Sequence, residues 1–249
     1  MPDEEQAWFD RDEVLTFDEM LRVVSAGASL GIRKLRVTGG EPLTRPGVVD
    51  FCRSLAAVPG IEHLGISTNG TLLGKRVDGV TLAAQLAAAG VSSVNISLDS
   101  LDAETYQRST NRDLLPKVLE GVDAAIAAGI SSIKLNCVLM KGRTEREFGS
   151  LIRYAGQKGL LLRFIELMPV STIAVLSEEN FLSCGVARRL IEEEFGELEP
   201  VPDFRTNGPA AYFRVPGTGQ KVGFIGAMTN LHFCESCDKL RLTADGKLR

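Results

Sequence analysis

Histidine is scarce: His63 and His232 are the only two in 249 residues. A metal centre built on several imidazoles is therefore excluded. No Ser-His-Asp or Cys-His pattern is present, and His63, placed before a strand instead of at its end, is read as a surface histidine. No apolar run approaches the length needed to cross a bilayer. Residues Met1 to Arg11 are acidic and lack the apolar centre of a secretory signal, so a cytoplasmic protein is expected. The net charge of -4 gives no global attraction to nucleic acid or to an anionic membrane. Any anion site has to be a local cluster of Arg and Lys.

Cysteines number five and are unevenly placed. Cys52, Cys137 and Cys184 sit alone in apolar or helical surroundings and are expected to act as small buried hydrophobes. Cys234 and Cys237 form a C-x-x-C pair, which in a cytosolic chain indicates metal or redox chemistry more than a structural disulfide.

A hydrophobic content of 44% and a charged content of 24% are ordinary for a globular protein, and the length suits one large α/β domain or one and a half ordinary ones. Thr16 and Glu19 have the spacing of a capping box, which predicts a helix from there to about Leu30. Strands are predicted at 34–38, 62–67, 93–98, 131–139 and 160–165, and helices at 47–58, 79–89, 115–128 and 144–157, with a helical turn near 101. Strands fall roughly thirty residues apart with a helix after each, the period of consecutive βα units. Five strands are too few for an eight-stranded barrel, so a partial barrel or an open sheet is expected. After Pro169 the pattern changes to a loop, a helix near 184–195, and short antiparallel strands at 212–215 and 221–225.

Polar side chains recur where these strands end. The first strand brings Arg36 and Gly40, and the second Ser67, Thr68 and Asn69. Asn95, Ser97 and Asp99 follow, then Lys134 and Asn136, then Arg163, Glu166 and Met168. Residues two apart on a strand share a face, and polar groups inside apolar strands are costly unless they serve a site. The turn Val37-Thr38-Gly39-Gly40-Glu41-Pro42 follows the first strand, where α/β folds place ligands and where glycine lets a ligand approach the backbone. Arg36 and Lys134 suit phosphates, and the hydroxyls and amides suit a sugar or base.

With Val37–Leu43, Ser67–Gly70, Val94–Ser100 and Arg163–Pro169, the chain resembles the GTP 3′,8-cyclase family of radical S-adenosylmethionine (SAM) enzymes. Gly208–Ala210, Arg214–Gly217 and Phe233–Gly246 carry the same resemblance to the end of the chain, in the same order. It implies a partial (βα)6 TIM-type barrel of radical SAM type over 1–169, with a C-terminal lobe over 170–249 covering the open side. It implies a lyase that cyclises GTP between C3′ and C8 in the first step of molybdenum cofactor biosynthesis. The product would pass to a cyclic pyranopterin monophosphate synthase. The cofactors would be SAM and two [4Fe-4S] clusters. Gly40, Ser97 and Met168 would hold SAM; Arg36, Ser67, Lys134, Lys239 and Arg241 would contact GTP; Cys234 and Cys237 would bind the second cluster. No nucleic acid or membrane partner is expected, and the protein is expected to be a monomer or homodimer.

The chain departs from the family pattern in several places. The N-terminal C-x-x-x-C-x-x-C motif that binds the first cluster is absent, and Met1-Pro2 matches the residues just after it. The expectation is a chain truncated at both ends, lacking its first barrel strand, an upstream arginine and the third ligand of the second cluster. As written it is expected to be inactive. Lys239 replaces the usual arginine with a point charge, and Ala211 replaces a basic residue. Two alternatives stand beside this one: a non-catalytic, cluster-less nucleotide- and SAM-binding protein on the same scaffold, and a structural zinc module at Cys234 and Cys237.

Overall fold

The computed structural model describes residues 10, 13–168, 179–206, 208–230 and 239–249. Cys234 and Cys237 lie outside the described residues. The chain forms two compact units, the first of Met1–Asn95, Lys117–Ser132 and Asp238–Arg249, the second of Ile96–Pro116 and Ile133–Cys237.

The first unit begins with α1 (Phe17–Ser29). Both halves of the capping box form: the Thr16 hydroxyl accepts from the Glu19 N–H, and the Glu19 carboxylate accepts from the Thr16 N–H. Strand β1 (Lys34–Val37) pairs in parallel with β2 (His63–Thr68), placing Arg36 opposite Gly65. α2 (Val48–Ala56) turns Phe51 inward, where it stacks on Phe17 at 4.2 Å.

Where a helix over 79–89 is expected, a two-residue hairpin forms first, β3 (Arg76–Val77) against β4 (Val80–Thr81). Asp78 and Gly79 between them both have positive φ, 51° and 80°. That is the conformation a two-residue hairpin turn requires, and Asp-Gly adopts it readily. α3 (Leu82–Ala88) starts only after Thr81, whose side chain caps it. β5 (Val91–Ser97) lies beside β2. The core here is Cys52, Leu64, Ile66, Leu73, Leu86 and Val94, all fully enclosed.

In the second unit the turn expected near 101 is a full helix, α4 (Ala103–Thr110), capped by Asp102 through the Thr105 N–H. α5 (Leu115–Ala127) runs back into the first unit. β6 (Ser132–Leu139) and β7 (Leu161–Glu166) pair in parallel, with α6 (Phe148–Lys158) between them in sequence. α7 (Cys184–Phe195) leads to β8 (Glu199–Pro200), β9 (Ala211–Arg214) and β10 (Lys221–Ile225). β9 and β10 pair antiparallel as expected, while β10 also lies parallel to β7. A run of aromatic contacts, Phe148–Phe164–Phe224–Phe213, packs this core. The described elements are α/β with largely parallel strands, rich in Val, Ile and Leu as strands buried on both faces should be. Among the described residues no helix is long and apolar enough to cross a membrane.

Candidate functional site

In the first unit, the Gly39–Gly40 turn at the end of β1 is exposed and open: a Cβ at either position would meet no atom within 4 Å. Its backbone is therefore accessible to a ligand group. The next residue anchors the turn. Glu41 accepts hydrogen bonds from the Leu43 N–H at 3.0 Å, the Thr68 hydroxyl at 2.8 Å and the Asn69 N–H at 2.7 Å. Thr68 in turn accepts from the Gly70 N–H at 3.0 Å. The turn after β1 and the turn after β2 are thus one hydrogen-bonded assembly.

Arg36 is half-buried and lies across β2. Its guanidinium donates to the Ile66 carbonyl at 3.1 Å and to the Ser93 hydroxyl at 3.2 Å. Gly65 makes room for it, since a Cβ there would come within 2.8 Å of the guanidinium. His63 proves not to be a plain surface residue. Its Nδ1 meets the Ser92 hydroxyl and its Nε2 the Ser93 hydroxyl, each at 3.0 Å, because β5 lies alongside the start of β2. Ser67, half-buried, accepts from the Asn95 amide at 3.4 Å. The other end of that amide, Asn95 Oδ1, is buried with no partner among the described residues. A buried acceptor without a partner is rare in a folded protein and requires a reason. Lys239 and Arg241 are exposed on the C-terminal segment, where Arg241 and Arg249 exchange backbone hydrogen bonds at 2.8 and 2.9 Å.

The second unit holds Ser97, Lys134 and Met168. Ser97 ends β5 and is exposed, and so is Met168 two residues beyond β7. Lys134 is only 4% exposed, inside an otherwise apolar strand. Asn136 shares its face of β6, and Arg163 on β7 donates to Asn136 Oδ1 through Nε at 3.0 Å and a terminal nitrogen at 2.7 Å. Arg163 is itself 5% exposed, and burial lowers its pKa against the raising effect of Tyr212. Two buried cations and an amide therefore share one face of β6 and β7. Their grouping depends on strand register, β6 pairing Asn136 with Arg163, which sequence alone left unspecified.

Two carboxylates in this unit behave oppositely. Asp99 accepts from the Val138 N–H at 2.8 Å. Part of the residue reaches the surface, yet crowding around the carboxyl pushes its pKa up to about 6, against the pull of that hydrogen bond. A raised carboxylate pKa favours folding at acid pH, and that contribution is lost as pH rises through about 6. Glu166, 1% exposed, accepts from the N–H groups of Cys184 and Met228 at 2.8 Å and of Thr229 at 3.0 Å, and from the Thr229 hydroxyl at 2.6 Å. Burial pushes its pKa up, and these bonds together outweigh it, so the net shift is downward.

Cys52 and Cys137 are fully enclosed as expected, and burial raises both thiols, Cys52 to about 11. Cys184 differs. It opens α7 just after its Ser183 cap and is half-exposed, with its thiol pushed up to about 12 by burial and by Glu166. Protonated, scattered thiols of this kind do not fit an iron–sulfur cluster, which needs converging thiolates. Among the described residues no group of three or more His, Cys, Asp or Glu converges on a metal position.

Comparison with known proteins agrees with the resemblance in the sequence. Residues 4–155 match the Radical SAM superfamily and residues 160–249 match Molybdenum Cofactor Synthesis C. The chain is 43% identical over 238 residues to the GTP 3′,8-cyclase of Moorella thermoacetica, covering 96% of this chain and 71% of that protein. It is 39% identical over 249 residues to the enzyme of Petrotoga mobilis, covering all of this chain and 74% of that protein. Among solved structures, Streptococcus suis SuiB bound to S-adenosylmethionine aligns with TM-score 0.57 at 14% identity, over 72% of this chain and 40% of that one. The native anSMEcpe with bound AdoMet aligns with TM-score 0.55 at 20% identity, over 77% and 52%. Those two likenesses speak for the fold alone, a partial TIM-type radical SAM fold, whereas the two cyclases extend the likeness to sequence along the whole chain. The chain belongs to the GTP 3′,8-cyclase family of radical SAM enzymes, a family of lyases that use SAM and [4Fe-4S] clusters.

Proposed function

We propose that this chain binds GTP and SAM through the residues its family motifs single out. Gly40, Ser97 and Met168 hold SAM, with the open Gly39–Gly40 backbone taking its ammonium group. Arg36, Ser67, Lys134, Lys239 and Arg241 contact GTP. The observation that carries the reading is the open Gly39–Gly40 turn, where a Cβ would meet no atom within 4 Å, held by Glu41 to the β2 exit that directly follows Ser67. The unpartnered Asn95 Oδ1 beside Ser67 is a further point at which a nucleotide donor is accommodated.

Functionally the chain divides into a barrel over 1–169 and a substrate lobe over 170–249. It acts in the cytoplasm as a monomer or homodimer and supplies a downstream cyclic pyranopterin monophosphate synthase. When bound, the first cluster of such an enzyme supplies the electron that cleaves SAM, and the second offers an iron to the guanine. The cysteines of these 249 residues do not fit the first of these, for none falls in a C-x-x-x-C-x-x-C run. Cys234 and Cys237 are assigned to the second cluster.

Anaerobic reconstitution with iron and sulfide tests this division of roles. Iron and sulfide retained in equal measure, and lost in Cys234→Ser and Cys237→Ser, is the expected result, with no 5′-deoxyadenosine released from SAM under reductant. Stoichiometric zinc without iron, or release of 5′-deoxyadenosine, contradicts it.

A further inference from the structure

Glu41 lies between two turns that the function assigns to different ligands. The Gly39–Gly40 turn, which holds SAM, has no side chains of its own to fix it. What anchors it is the next residue, whose carboxylate is occupied by three donors. One is local, the Leu43 N–H at the start of a short 3-10 helix, Pro42–Thr44. The other two, the Thr68 hydroxyl and the Asn69 N–H, come from the exit of β2. Thr68 and Asn69 directly follow Ser67, assigned to GTP. The β2 exit is itself tight: Thr68 accepts from the Gly70 N–H, and Asn69 Oδ1 accepts from the Thr71 N–H at 3.0 Å and the Thr71 hydroxyl at 2.7 Å.

With both oxygens engaged in this way, Glu41 serves as a clasp instead of an acid, a base or a direct partner for the SAM ammonium. We propose that Glu41 is a positioning residue that couples the two ligands, so that GTP binding at the β2 exit sets the SAM turn and tightens SAM binding. The proposal rests on the assignment of Gly40 to SAM and of Ser67 to GTP. By linkage the coupling acts equally in both directions.

The test is the affinity for SAM measured by calorimetry with and without saturating GTP, on the full chain and on Glu41→Gln and Thr68→Val. In Glu41→Gln an amide NH2 faces the Asn69 N–H, donor against donor. Thr68→Val removes one hydroxyl from the clasp without changing charge, and so serves if the first variant does not fold. GTP is expected to tighten SAM at least about fivefold in the parent chain, the lower end for coupled sites. That ratio is expected to fall below about twofold in each variant. A variant that is less stable and weaker for both ligands, but keeps the ratio, overturns the proposal, as does a parent chain whose two ligands bind independently. A Glu41→Gln that weakens SAM alone, with Thr68→Val unaffected, points to direct charge pairing and also overturns it. A parent chain that binds neither ligand overturns the site assignment and the coupling together.

Discussion

Gly121→Ala is expected to lower stability by about 3 kcal/mol, although alanine is the better helix former. Gly121 lies inside α5. In an exposed helix interior the change would stabilise by roughly 1 kcal/mol. Here a Cβ at position 121 would lie 2.1 Å from the Gly70 carbonyl oxygen, 3.1 Å from its carbon and 3.3 Å from Leu73 Cβ, and real Cβ contacts essentially never fall under 3.0 Å. The obstacle is backbone, so no rotamer change relieves it. Nor is that backbone free to yield, since Gly70 has φ of 83°, its carbonyl accepts from the Leu73 N–H and its N–H is held by Thr68. Either α5 moves off the sheet or the β2 exit shifts and strains the Glu41 clasp. For a chain of this size the loss corresponds to a melting temperature lower by about 6–12 °C. Scanning calorimetry checks it; an unchanged or raised melting temperature would mean that the approach of α5 to the turn is looser than described.

Glu166→Ala is expected to cost about 4 kcal/mol or more. Its carboxylate receives four donors from two segments outside its own strand, the start of α7 and the turn after β10. Alanine leaves three backbone N–H groups facing a space that solvent barely enters, each costing about 1–3 kcal/mol unless it finds water. The pH dependence separates this from a simple packing loss. Because the net pKa shift of Glu166 is downward, its stabilisation is present above the ordinary carboxylate pKa and disappears as pH falls through the lowered value. The gap between parent and variant melting temperatures should therefore be widest near neutrality and narrow below about pH 4. A gap that stays constant with pH would show that the charge is not what holds these segments.

Much of the scaffold was legible because it rests on local signals. The Thr16–Glu19 capping box, the Val- and Ile-rich strands and the Gly-Gly turn each depend on residues within a few positions of one another. The hairpin at 76–81 was legible in principle, for Asp78-Gly79 is a strong two-residue turn signal, but the alanine-rich run after it favoured a longer helix. What the sequence hid was long-range pairing. The parallel contact of β10 with β7 joins residues about sixty positions apart, and no periodicity announces it. The same holds for Glu41 with Thr68, for Asn136 with Arg163, and for His63 with Ser92 and Ser93. Each partner is visible in the sequence as a polar residue, yet only strand order and register determine which of them meet.

GTP is expected to bind this scaffold with Lys134 among its contacts. Calorimetric titration of the full chain with GTP, beside Lys134→Ala, tests it most directly. Saturable binding at one site, weakened at least about tenfold by a substitution that removes one charge-assisted contact, is the predicted result. Absence of GTP binding, or equal affinity in the folded variant, contradicts it.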